Sequence, residues 1–201
     1  MSFRNEIKIK TNSKMEYRFY KWLTDNKGKE MFEKRRVTSI YFDNDNFGTY
    51  EDSIEGIVPR KKIRLRTYND FFFLKKDKIF LENKFSSIEG RFKTTKRIND
   101  YKKIISNGLI EPQYGIVKPK IKVDYYRKYF LCKNIRFTVD KYINYSRIDS
   151  FNNFKISKKS DDIIIELKTK SSVDTEEFFK KNQFEKTRFS KYCNAIEQVF
   201  Y

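Results

Sequence analysis

The chain has no histidine at all, and only two cysteines, Cys132 and Cys193, in 201 residues. That removes a histidine general base, a Cys/His metal site and a disulfide framework together. Proline and glycine are also scarce, at 3 and 6. So few leave little room for flexible linkers, and no internal repeat or low-complexity block interrupts the chain, so a single domain over 1–201 is expected. No apolar run approaches the roughly 20 residues that span a bilayer. The opening residues Met1 to Glu6 lack the apolar stretch of a signal peptide. A cytoplasmic protein without a membrane segment is the expectation. No glycine-rich phosphate loop is present, which excludes the P-loop route to nucleotides.

What the chain does have is charge and aromatic rings. A net charge of +18 asks for a polyanionic partner, while 20 Phe and 14 Tyr supply a core. Lys, Asn, Ile, Phe and Tyr are all abundant, as a source-wide compositional bias would also make them. Charge alone therefore does not choose between nucleic acid, an anionic membrane surface and a phosphorylated small molecule. Position must.

The central stretch is Pro59 to Tyr68. As a strand it places Lys62, Arg64, Arg66 and Tyr68 on one face and Lys61, Ile63, Leu65 and Thr67 on the other. One such strand is an ordinary solvated outer strand. The pattern recurs, however, with carboxylates joining the charged face. Arg4 to Lys10 alternates Arg4, Glu6, Lys8 and Lys10 against Ile7 and Ile9. Ile79 to Phe85 sets Phe80, Glu82 and Lys84 together, and after a break at Glu89-Gly90, Arg91 and Lys93 come back into phase. Ile135 to Asp140 aligns Arg136, Thr138 and Asp140, and Ile163 to Thr169 aligns Ile164, Glu166 and Lys168. Lys120 to Phe130 is a further strand in which Arg127 falls in phase with apolar residues, which an ordinary solvated face does not predict unless a bulge intervenes.

Between the strands, Ser13 with Glu16 three residues on is a capping-box signature, opening a helix with Met15, Phe19, Trp22 and Leu23 on its apolar stripe. Val37 to Phe42 is a β-branched and aromatic strand, ended by a turn at Asp43 to Asn46, whose aspartates lack calcium-loop spacing. Phe71-Phe72-Phe73 leads to a turn at Lys75 to Lys78. Asn99 to Asn107 reads as a helix stopped by Gly108, and Pro112 to Pro119 as loop. Ser190 is placed to cap a last helix to Phe200, with Cys193 core-facing and Cys132 in a loop or strand end. The class is α+β, antiparallel, not βαβ.

If such a sheet closes, its charged face lines a lumen, and a lumen of Arg and Lys is self-repelling until an anion fills it. A few carboxylates among them can anchor Mg²⁺ or Mn²⁺. That is the equipment for phosphoryl transfer, where positioning and charge neutralisation carry most of the catalysis.

The ordered series Glu6-Ile7-Lys8, Tyr41-Phe42-Asp43, Arg64-Leu65-Arg66, Glu82-Asn83-Lys84, Tyr125-Tyr126-Arg127, Arg136 to Asp140, Glu166-Leu167-Lys168 and Phe189-Ser190-Lys191-Tyr192 resembles the VTC domain. This is the polyphosphate polymerase domain of the vacuolar transporter chaperone, within the CYTH-like triphosphate tunnel metalloenzymes. The resemblance runs from residue 4 to the C-terminus. It implies a closed antiparallel β-barrel of about eight strands with flanking helices. It implies a triphosphate held by Lys8, Arg64, Arg66, Lys84, Arg127, Arg136 and Lys191, with Arg91 and Lys168 beside them and hydrogen bonds from Tyr125 and Ser190. Glu166 would hold Mn²⁺ or Mg²⁺, with Glu6 and Glu82 as further candidates. Catalysis is then expected from Arg64, Arg66, Lys84, Arg127, Arg136 and Glu166. A terminal phosphate of polyphosphate would attack the γ-phosphoryl group of ATP, with no protein nucleophile needed.

The chain departs from the family pattern at Glu89 and Gly90, where a further basic residue usually precedes the Arg91 position. No inositol-phosphate-sensing domain is expected, as in the bacterial stand-alone members, nor sequence-specific nucleic acid; any membrane or glycan-pathway partner is unidentified. A triphosphatase using water, a non-catalytic polyphosphate-binding module and an RNA binder with aromatics between basic strands are the competing readings. A hydrolytic tunnel often carries several glutamates on its first strand, and only Glu6 is present here.

Overall fold

The computed structural model describes residues 4–68, 78–170, 173 and 175–201. The expected Phe71-Phe72-Phe73 run, and most of the turn after it, lie outside those residues. In chain order the elements are β1 (Arg4–Thr11), α1 (Ser13–Asp25), β2 (Lys29–Asp43), α2 (Gly48–Glu55), β3 (Arg60–Thr67), β4 (Ile79–Ser87) and β5 (Gly90–Ile98). There follow α3 (Tyr101–Asn107), β6 (Leu109–Glu111), β7 (Gly115–Cys132), β8 (Ile135–Ile148), β9 (Phe154–Ser160), β10 (Ile163–Lys170), α4 (Glu176–Asn182) and α5 (Lys191–Phe200).

The hydrogen-bonded order is β1-β10-β8-β7-β2-β3-β4-β5, with β6 on β7 and β9 on β8. Eight strands on the main path match the expected number, and the antiparallel α+β class holds. Closure does not. The path starts at β1 and ends at β5, and no ladder joins these two among the described residues. The sheet is therefore open, and β5 runs exposed along almost its whole length.

The chain forms two compact units. The first comprises 1–35, 125–143 and 160–189; the second comprises 36–124, 144–159 and 190–201. The first is built on an aromatic cluster. Phe19 and Trp22 of α1 pack with Phe137 of β8 and Phe178 and Phe184 around α4, and Ile163, Ile165 and Leu167 complete the core from β10. Trp22 meets Phe178 edge-on at 4.7 Å. The second unit packs Ile40, Phe42, Ile63, Leu65, Ile79, Val117 and Ile148 beneath α3.

Local corrections have local causes. Helix α1 begins one residue early because Asn12, in extended backbone, accepts from the Met15 amide at 3.1 Å. Ser13 is thus inside the helix, and Glu16 turns to Lys141 at 2.7 Å instead of closing a capping box. The segment 112–119 is mostly strand, since β7 starts at Gly115, whose positive φ makes the turn from β6. The helices α2 and α4 and strand β9 lack the periodic apolar signal and were not expected. Ser190 caps α5 as expected, accepting from the Cys193 amide, with Cys193 buried and Cys132 closing β7.

Candidate functional site

In the first unit, β1, β10 and β8 lie side by side in exact antiparallel register. Lys8 stands opposite Glu166 and Glu166 opposite Thr138; Glu6 faces Lys168, which faces Arg136. The apolar partners Ile165, Leu167, Phe137 and Val139 point into the aromatic core, so period-two geometry puts all six polar residues on the other face. Glu166 is 6% exposed. Burial pushes its carboxyl up, but Lys168, Arg127 and Lys8 outweigh that and hold it well below the usual carboxylate range. Lys168 donates to it at 2.8 Å. Lys8 reaches Glu6 at 3.3 Å and donates to the Phe189 carbonyl at 2.9 Å.

Arg127 belongs to the same cluster for a reason the alternation hides. Its guanidinium forks onto buried Asp140, Nε at 2.5 Å and the second nitrogen at 2.7 Å, and lies 5.3 Å from the Tyr125 ring. Burial works against its charge, and the Asp140 carboxylate more than restores it. Arg136 is exposed on the outer row beside Lys168.

In the second unit, β2, β3, β4 and β5 carry the other cluster. Across adjacent strands Lys62 faces Lys84, and Lys84 faces Lys93. Like charges directly opposite one another are destabilising. Lys62 donates to Ser190 Oγ at 2.9 Å and Lys93 to Glu82 at 2.8 Å, which relieves part of the repulsion. On the next row Arg64 lies between Tyr41 and Glu82. It donates to the Tyr41 hydroxyl at 2.8 Å and twice to Glu82, at 2.7 and 2.9 Å. Arg66 donates to Ser39 at 3.1 Å and stands 3.5 Å from Glu82. Glu82 is buried, which would raise its pKa, yet Arg64, Arg66 and Lys93 bring it down to about 2. Both its oxygens are engaged by cations here.

Tyr41 shows the same excess of positive charge. Burial raises its phenol, but Arg64 and Arg66, the Arg64 hydrogen bond and Lys191 bring it down to about 8. Behind it Tyr192 stacks at 5.1 Å and donates to Asp43. Asp43 also accepts from the Thr49 hydroxyl and the Thr49 and Tyr50 amides at 2.9–3.0 Å. It is a buried hub that ties α2 and α5 to β2, where only a turn residue was expected. Arg91 is exposed, opposite Ser86 and two residues from Lys93 on β5.

The structure therefore gathers Lys8, Glu166, Lys168, Arg127, Tyr125 and Arg136 with Glu6 in one unit, and Arg64, Arg66, Lys84, Glu82 and Ser190 with Lys191 in the other. Sequence reasoning missed Lys93 and Tyr41 as members. Both were legible from alternation: Lys93 follows Arg91 in phase, and Tyr41 shares a face with Ser39.

A family model for the VTC domain matches residues 4–200. The chain belongs to the VTC domain family. Several solved structures share the fold of this VTC domain. A candidate adenylate cyclase from Bacillus halodurans superposes with a TM-score of 0.64 at 14% identity, covering 100% of this chain and 98% of that one. Another from Vibrio parahaemolyticus gives 0.57 at 12%, with 98% of each chain covered. A candidate adenylyl cyclase from Hippeastrum, described as revealing a dominant triphosphatase activity, gives 0.54 at 12%, with 96% of each covered. At these identities the likeness is one of fold. No curated protein matches the chain.

Proposed function

We propose that this VTC domain is a metal-dependent, ATP-dependent polyphosphate polymerase. The observation that carries the anion is the Lys62-Lys84-Lys93 row with Arg64 and Arg66 on the adjoining rows. Five cations on neighbouring positions of one sheet face, with Glu82 as the acid among them, repel each other until phosphates arrive. Membership of the VTC domain family supports a triphosphate as the substrate class. In this reading an oxygen of the terminal phosphate of the growing chain attacks the γ-phosphorus of ATP, the bond to the β-phosphate bridging oxygen breaks, and ADP leaves with the electron pair. The candidates to neutralise and orient phosphates are Arg64, Arg66 and Lys84 in the second unit, with Lys191, Arg91 and Ser190 as further binding residues, and Arg127, Arg136 and Lys8 in the first, with Lys168 and Tyr125. Ser190 and Lys191 stand at the N-terminus of α5, where backbone amides favour an anion.

The donor set fits a hard divalent cation. Mg²⁺ is commonly held by one or two carboxylates plus substrate phosphates, and Glu166 is a buried carboxylate kept ionised by its neighbours. Glu166 would hold Mn²⁺ or Mg²⁺, with Glu6 the nearest second acid across the β1–β10 ladder; Glu82 joins only by giving up its cations. The metal would supply charge neutralisation on the transferring group.

A triphosphatase is the second reading, favoured by Glu89 and Gly90 standing where the family usually has a basic residue: one phosphate ligand fewer weakens the hold on an acceptor more than on water. Phosphorus NMR of the protein with ATP and Mn²⁺ separates the readings. Growth of internal polyphosphate resonances with ADP is expected. Orthophosphate or pyrophosphate without polymer makes it a hydrolase, and unchanged ATP leaves a binding module. In the same assay Glu166→Gln should lose metal-dependent turnover while keeping anion binding. Arg66→Ala and Lys84→Ala should each lose triphosphate affinity with the fold retained; unchanged affinity in either removes that residue from the site.

A further inference from the structure

Thr138 sits in the middle of the charged face of β8, with Arg136 and Asp140 two positions to either side and Glu166 directly opposite. Its neighbours Phe137 and Val139 are buried in the aromatic core, so its side chain shares the face of Lys8 and Glu166. Its Oγ1 is shielded from solvent and meets no hydrogen-bond partner among the described residues. That is an unusual place for an idle hydroxyl. Buried polar atoms are nearly always paired, and an unpaired one costs stability. Valine has the same branched shape, favours strands equally and carries no such cost. The adjacent acid does not explain the hydroxyl either: Glu166 accepts from Lys168 at 2.8 Å, and Thr138 Oγ1 makes no hydrogen bond to it.

We propose that Thr138 is a further phosphate ligand: its Oγ1 donates a hydrogen bond to a phosphoryl oxygen of the triphosphate held on the Lys8–Glu166 face. The proposal rests on the triphosphate reading above and adds a residue to it. A hydroxyl suits this position better than a further cation would. It provides a donor beside Glu166 without competing for the carboxylate by charge, so the acid stays available to a metal.

The test is equilibrium binding of inorganic tripolyphosphate without divalent metal, which separates binding from turnover. Thr138→Val should bind about tenfold more weakly, the order expected for one hydrogen bond to a charged group. Its thermal midpoint without ligand should be equal to or above that of the wild type. Thr138→Ser restores the hydroxyl and should bind within about twofold of wild type. Wild-type affinity in Thr138→Val overturns the proposal, as does equal weakening in both variants, which would mark a packing role for the methyl group. A folded wild-type protein that binds no tripolyphosphate overturns the triphosphate reading, and this one with it.

Discussion

At the scale of single residues, Tyr41 reports on the second cluster. Its phenol titrates near 8 in place of the ordinary 10 because Arg64, Arg66 and Lys191 outweigh its burial. A group with a depressed folded-state pKa adds stability that is absent below the folded value and complete above the unfolded one. The Tyr41 contribution should therefore grow between pH 8 and 10, to an order of 2–3 kcal/mol. Tyr192 has a phenol raised by burial and by Asp43, and moves the opposite way at higher pH. For that reason the measurement is a difference. The phenolate absorbance of wild type minus Tyr41→Phe should show a step near pH 8 that Arg64→Ala moves upward. A step at or above pH 10 in the wild type would mean that Arg64 and Arg66 do not act on Tyr41 as described.

At the scale of elements, alternation made most of the sheet legible. β1, β3, β4 and β10 carry large apolar residues on one phase and charge on the other, and each forms close to where that phase begins and ends. Lys61 breaks the pattern by falling on the apolar phase, and it forms an ion pair with Glu111. Arg127 breaks it in the same way and is met by Asp140. Neither partner could be found by spacing, since each lies on another strand. Punctuation was legible too. Gly108 stops α3 with φ of 76°, and a Cβ there would lie 2.5 Å from the Val117 carbonyl oxygen. Gly108→Ala should then cost about 1–2 kcal/mol or more, read as a lower denaturation midpoint with unchanged denaturant slope. An unaffected midpoint would mean that the α3–β6 junction shifts easily against Val117 of β7 to admit a side chain.

At the scale of the whole molecule, the charge of +18 acts on association. It should speed the encounter with a triphosphate through long-range attraction, and salt should slow it, because a Debye length falls from about 30 Å at 0.01 M to about 10 Å at 0.1 M. Stopped-flow binding of ATP should show an association rate that drops steeply over this range while dissociation changes little. An association rate independent of salt would show that the excess charge is not arranged to steer an anion.

The sequence by itself determined the strand faces, the basic and acidic members of each, the first and last helices, and the family, because period-two patterning and the order of short motifs are local properties of the chain. Tertiary structure alone decided register and connectivity. Register brought Lys62, Lys84 and Lys93 into one row and placed Thr138 against Glu166; connectivity left the sheet open and turned Asp43 from a turn residue into a buried hub. Those outcomes depend on which residues far apart in the chain come to lie opposite each other, and no local pattern encodes that.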